Sequence, residues 1–179
     1  ARLVDNLVIG NRVVTDEDGA GGGGICCWNS GTPHLTGNVV AGNRVSGQAE
    51  AFGGGLYCTH ASVVLDRNTF TGNSVSVAEG DEARGGGVAV EAGFPGLTLT
   101  NSIFWNNTAP SGSELALLRD TGATVAYCNI QGGDDEAYVG PDEATLNWGD
   151  GNLDGEPRFA APGHWDGDTW IQGDYHLKS

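Results

Sequence analysis

A short pattern recurs along this chain, and no other feature narrows its folding options as far. Four segments align without gaps: Leu3-Val4-Asp5-Asn6-Leu7-Val8-Ile9-Gly10-Asn11, Leu35-Thr36-Gly37-Asn38-Val39-Val40-Ala41-Gly42-Asn43, Leu65-Asp66-Arg67-Asn68-Thr69-Phe70-Thr71-Gly72-Asn73 and Leu99-Thr100-Asn101-Ser102-Ile103-Phe104-Trp105-Asn106-Asn107. A fifth copy, Val125-Ala126-Tyr127-Cys128-Asn129-Ile130-Gln131-Gly132-Gly133, is worn at its end. Between them a second motif returns as Gly22-Gly23-Gly24-Ile25, Gly53-Gly54-Gly55-Leu56 and Gly85-Gly86-Gly87-Val88. The first Asn position recurs at Asn6, Asn38 and Asn68, then as Ser102 and Cys128, in steps of 32, 30, 34 and 26 residues. A period of this size marks an architecture in which each unit buries its apolar face only against its neighbours.

Inside a unit the apolar residues alternate, as in Ile25 and Cys27, Leu56 and Cys58, or Val88 and Val90, and no stretch keeps helical spacing. Strands that repeat without helices bury a continuous column when they stack as coils. The expected fold is therefore all-β: a right-handed parallel β-helix, a solenoid of about five to six coils, with an irregular C-terminal segment. Residues 1–133 form the repeats, and residues 134–179 form loop-rich final coils and an end-capping or junction segment. Asn at a bend tolerates a left-handed backbone, and stacked Asn side chains pair amide to amide. Asn6, Asn38 and Asn68 are thus expected to form one ladder, and Asn11, Asn43, Asn73 and Asn107 a second. The glycine triplets suit a corner where adjacent coils approach closely.

Phe70-Thr71-Gly72-Asn73 and Phe104-Trp105-Asn106-Asn107 match a Phe-x-x-Asn motif, and the glycine triplets match a Gly-Gly-aliphatic motif. In alternation these resemble the passenger repeats of polymorphic outer-membrane proteins, over residues 1–133. The tail, with Gly151-Asn152-Leu153-Asp154-Gly155 and Asp174-Tyr175-His176-Leu177, is similar to the closing coils of secreted bacterial β-helix proteins. The resemblance implies a pectate-lyase-like fold and a surface-exposed, adhesive or structural role.

Composition bears on partners and place. A net charge of −15 repels a phosphate backbone, so no nucleic-acid partner is expected. The apolar runs are a few residues long, too short for a transmembrane segment. Lys178 is the single lysine and the surface is rich in Thr, Ser, Asn and acids, which points to an extracellular or cell-surface setting. The chain opens inside a repeat, so its first coil is expected to be an open end, either continuing a longer array or stacking head to tail on another protomer into filaments. A glycan or cell-surface partner is the other expectation.

No residue is assigned a catalytic role. Asp134-Asp135 resembles one motif of the polygalacturonases, whose remaining motifs have no counterpart in this chain. A polysaccharide lyase or hydrolase, or a carbohydrate-binding module, is the alternative to a structural or adhesive protein. No cofactor is expected beyond Ca²⁺, for which Asp150, Asn152 and Asp154 have the alternate-oxygen spacing of a cation loop. Arg12 and Arg44 fall in register directly after ladder Asn residues and would form a basic pair on the outer face. Cys27 and Cys58 occupy one place in consecutive coils. Coil spacing of about 4.7–4.9 Å admits a disulfide, yet parallel side chains keep their Cβ atoms farther apart than the ~3.8 Å of a relaxed bridge, so a reduced ladder and a disulfide both stand. Asn106-Asn107-Thr108 is a glycosylation sequon on Asn106. The tail rings Tyr138, Trp148, Phe159, Trp165, Trp170 and Tyr175 either plug the open bottom of the coil or stack on sugars.

Overall fold

The structure, a computed structural model, describes every residue except 17, 18, 81, 93–95 and 179. Each repeat lays one strand on each of three parallel sheets, and the strands stack in chain order. The first sheet stacks Arg2–Val4, His34–Thr36, Val63–Asp66, Leu97–Thr100, Gly122–Ala126 and Thr145–Trp148. The second stacks Leu7–Ile9, Val39–Ala41, Thr69–Thr71, Ile103–Trp105 and Asn129–Ile130, and the third stacks Ile25–Gly31, Leu56–Ala61, Val88–Glu91, Leu115–Leu117 and Tyr138–Val139. Alternation sends one residue in two inward, so Leu35, Leu65, Leu99 and Val125 from the first sheet meet Val40, Phe70, Phe104 and Ile130 from the second and Leu56, Val88 and Leu115 from the third. Phe70 and Phe104 stack within that column at 4.8 Å.

The chain is thus a parallel β-solenoid, as the repeat requires. It has about four turns, fewer than the expected five to six. The shortfall is at the C-terminal end: the fifth passage keeps only two-residue strands on two of its faces, and the sixth supplies Thr145–Trp148 and a bridge from Leu153 to Asn129.

Both ladders are present. Asn38 Oδ1 accepts from the backbone N–H and the Nδ2 of Asn6 at 2.9 and 3.0 Å, while Asn38 Nδ2 donates back to Leu3 O and onward to Asn68 Oδ1. Each carboxamide therefore stitches the coil before it to the coil after it. The second ladder repeats this through Asn11, Asn43, Asn73 and Asn107. One expectation is corrected: the left-handed residue is the one before each ladder Asn, at Asp5, Gly37, Arg67 and Asn101 for the first ladder and at Gly10, Gly42, Gly72 and Asn106 for the second. That residue makes the bend, and the Asn after it points inward.

The ladders end on chemistry of their own. Asn68 N–H donates to Ser102 Oγ, and the Cys128 N–H donates to Asn152 Oδ1, so the first ladder runs on to Asn152. The second closes on Glu114, a buried carboxylate in the place of the third glycine of a triplet, which accepts from the N–H and Nδ2 of Asn107.

Between the second and third sheets the chain makes an excursion. Arg12–Val14, Arg44–Gly47 and Ser74–Val77 stack as one small sheet, Ala20–Gly21, Glu50–Phe52 and Glu82–Arg84 as another, and Ala20, Val45, Ala51, Val75 and Ala83 fill the space between them. The triplets stand at the neck of this flange. The first glycine has a positive φ (70° at Gly22, 63° at Gly53, 70° at Gly85). A Cβ on the second would lie 2.7 Å from the Ser74 backbone at Gly54 and 2.6 Å from that of Thr108 at Gly86. The third lies against the ladder: a Cβ on Gly24 would meet the Asn43 carboxamide at 2.9 Å.

After Leu153 the stacking stops. Phe159–Ala161 pairs antiparallel with Asp174–Leu177, and His164–Asp166 with Thr169–Ile171. The Trp170 ring lies over the turns of the first three coils, where a Cβ on Gly10, Gly42 or Gly72 would fall 3.7, 2.1 or 2.7 Å from it. The tail rings are accordingly not gathered as a plug. Trp148 packs on the core and Tyr138 joins the third sheet, whereas Trp165 and Trp170 lie along the flank. Trp165 meets Trp170, and Phe159 meets Tyr175, each edge to face.

Two outcomes test this account. Asn68→Ala removes the acceptor of two Asn38 donors and should lower stability by about 1–3 kcal/mol for each group left unpaired, read by urea unfolding. Burial pushes the Glu114 carboxyl up to about 8, against the donors from Asn107, which pull it down. A carboxyl raised in the fold holds its proton more tightly there than in the unfolded chain. Its contribution is complete below the ordinary carboxylate range and is lost as pH rises through about 8. Glu114→Gln, which cannot ionise, should flatten this decline in thermal melts across that range.

Candidate ligand-binding groove

The flange does not lie flat on the third sheet, and a groove of about 550 Å³ opens between them. On the outward side of the third sheet Cys26 stacks on Tyr57, Tyr57 on Ala89, and Ala116 on Tyr138, and of these Cys26, Tyr57 and Tyr138 line the groove. Glycine makes room for the largest of these, since a Cβ on Gly21 would fall 2.4 Å from the Tyr57 ring. Phe52 of the flange stacks on Tyr57 with centroids 5.8 Å apart. Trp28, 67% exposed, lines the groove and stacks on His60 at 6.3 Å.

Charge in the groove is arranged in pairs. The Tyr57 hydroxyl donates to Glu91 Oε2, and Arg119 donates to Glu91 Oε1 at 2.6 Å through Nε and 2.5 Å through an Nη. Both oxygens of this buried carboxylate are thereby committed. Burial, then the bond to Glu91 and its charge, push the Tyr57 phenol well above its ordinary value, so it stays a donor. Arg84 pairs with Glu82 and lays its guanidinium over the Tyr138 ring at 4.5 Å. Glu50 stands in register with Glu82, and Asp142 lies on the wall. Ring faces, fixed donors and acceptors on a rigid sheet suit a polar, flat-faced ligand.

Of the residues singled out in the sequence, Tyr138 lines the groove, and those that follow lie elsewhere. Cys27 and Cys58 pair in register as free, buried thiols. The bond to Cys27 and then burial push the Cys58 thiol up. Cys128 holds a place in the first ladder, and burial pushes it up to about 11. Asp134 and Asp135 sit exposed on a turn outside the groove. Asn106 is exposed in its left-handed turn.

Of the residues with cation-loop spacing, Asn152 is engaged in the solenoid. Its Oδ1 accepts from Cys128 and its Nδ2 donates to Val125 O and Gly149 O, so the carboxamide is a rung, while Asp150 and Asp154 are exposed. Among the described residues no group of three or more His, Cys, Asp or Glu could hold a metal ion, and no helix is long and apolar enough to cross a membrane.

Sequence reasoning passed over Phe52, Tyr57, Arg84, Glu91 and Arg119. The signal present was the interval from Asn43 to Gly53 or from Asn73 to Gly85, longer than a corner needs and long enough for a flange. The architecture defines the chain as a parallel β-solenoid. Set against known proteins, it matches no family model, no curated protein and no solved structure.

Tyr57→Phe keeps the ring and removes a donor to buried Glu91. It should cost about 1–3 kcal/mol in chemical unfolding, whereas an unchanged midpoint would mean that the pair is not built into the fold.

Proposed function

We propose that this protein is a non-enzymatic, extracellular adhesive solenoid that holds a saccharide in the groove between its third sheet and its flange. The observation that carries the reading is the pairing of half-buried aromatic rings with fixed polar groups along one groove. Phe52, Tyr57 and Tyr138 offer faces for a sugar ring, and Glu50, Arg84 and Asp142 offer partners for hydroxyls. Support for the non-enzymatic part is that two of the four carboxyls lining the groove are already committed, Glu91 to Tyr57 and Arg119 and Glu82 to Arg84, and the reading assigns the remaining two, Glu50 and Asp142, to hydroxyl recognition. The repeats' resemblance to outer-membrane-protein passengers, together with the Thr, Ser and Asn of the surface, supports the exported setting and the adhesive role.

The test is a panel of neutral, acidic and amino polysaccharides assayed for binding and for turnover. A retained glycan that is not cleaved is expected. Trp28→Ala and Tyr138→Ala should each weaken binding about 3- to 10-fold through the lost ring contact. Cleavage of a bound glycan would overturn the non-enzymatic reading, and indifference of binding to both substitutions would remove the groove from it.

A further inference from the structure

On the opposite wall of the flange, Arg12, Arg44 and Ser74 stand in register on consecutive coils, and Thr108 bridges to Ser74 on the next. Two cationic side chains directly adjacent on neighbouring strands repel each other. The chain carries 23 acids and 8 bases, and yet two of those bases are stacked with no carboxylate between them in the column.

The pair is only partly compensated. Arg12 reaches Asp168 of the tail hairpin at 3.1 Å, with the two side chains 51% and 83% exposed. Arg44 lies face-on to the Trp165 ring at 3.6 Å, and its N–H edges make no hydrogen bond to the described residues. Burial and then the charge of Arg12 pull its pKa down, although Asp168 acts the other way. Beside them opens a cavity of about 350 Å³ lined by Arg12, Arg44, Ser46, Ser74, Ser76 and Thr108, with Trp165 at its side. That lining holds two guanidinium forks and four hydroxyls and no carboxylate.

We propose that this cavity is a binding site for a tetrahedral oxyanion, sulfate or phosphate, free or as an ester on a polymer, and that Asp168 is an internal stand-in for it. Guanidinium edges give such an anion paired, charge-assisted hydrogen bonds, and the hydroxyls rotate to supply the rest. The anion also screens the repulsion between Arg12 and Arg44. The Trp165 face fixes the Arg44 plane, which limits the side-chain ordering that binding requires. This site is separate from the groove and does not depend on what the groove holds.

A competing account gives the arginines one duty, that of anchoring the hairpin. The two accounts part on Asp168→Asn. An anchor loses a contact and gains no ligand, whereas a site with an internal competitor binds an external anion more tightly.

The experiment is calorimetric titration of the full chain with sodium sulfate and with sodium phosphate, sodium chloride holding ionic strength constant. Saturable binding is expected for the native chain, about 3- to 10-fold tighter for Asp168→Asn and about tenfold or more weaker for Arg44→Gln. If Arg44→Gln lowers the melting temperature, Arg12→Gln, whose native side chain is half exposed, carries the same comparison. Dextran sulfate against dextran separates the sources: binding of free sulfate alone assigns a small-ion site, and added affinity for the polymer that falls with Arg44→Gln assigns an ester. No saturable heat with Asp168→Asn, or heat unchanged by both arginine substitutions, overturns the proposal.

Discussion

The structure depends on a hydrogen bond that repeats: a backbone N–H at a bend donating to a carboxamide oxygen one coil further on. Where the chain turns inward between two sheets, its amide cannot join a strand ladder, and left unpaired inside it would cost as much as a broken hydrogen bond. Asn38 and Asn43 solve this at both corners, each accepting from the coil before and donating to the coil after. The bond also fixes register. A coil displaced by one residue would bring a different side chain to the corner, and the Leu35, Leu65, Leu99 column would turn outward with it.

What surrounds the ladders follows from them. The glycine at the end of each triplet leaves room for the second-ladder carboxamide, and the middle glycine lets the returning chain cross the strand that leaves for the flange. The flange therefore emerges at the same corner of each coil, and its two small sheets stay in register. One of its walls bounds the groove at Tyr57 and Glu91, and the other carries Arg12 and Arg44. When the repeat fails, the rungs change: Glu114 accepts without donating onward and closes the second ladder, while in the first Ser102 turns its hydroxyl back to Thr100 O and Asn152 takes the last rung.

How much of this is legible in the sequence depends on whether stacking selects residue identity. The rungs and the inward columns are readable because every coil presents the same environment, so Asn38 and Asn68, or Phe70 and Phe104, recur at regular separations. The flange is hidden because its core of small residues, Ala20, Val45, Ala51, Val75 and Ala83, lies in segments without a shared motif. The outward positions occupied by Tyr57, Glu91 and Arg119 are free of the stacking constraint, so no repeated identity marks them. Asn152 is a rung that the sequence hides, because it lies 24 residues after Cys128 in a segment with no other trace of the repeat, and its spacing to Asp150 and Asp154 draws the eye first. The tail has no repeat at all, and tertiary contacts such as those of Trp170 with Gly10, Gly42 and Gly72 and of Trp165 with Arg44 reveal that it runs along the flank.

Native-state hydrogen exchange, resolved by residue, reads the ladder bond itself. The backbone amides of Asn38 and Asn43, each donating to a carboxamide on the next coil, should exchange only through global unfolding and rank with the slowest sheet amides, such as that of Leu56. Amides at the flange tip, such as those of Ala78 and Glu79, should open locally and exchange sooner. Corner amides that exchanged as fast as those of the flange tip would contradict the account, because the side-chain ladder would then be incidental to a solenoid held by its sheets alone.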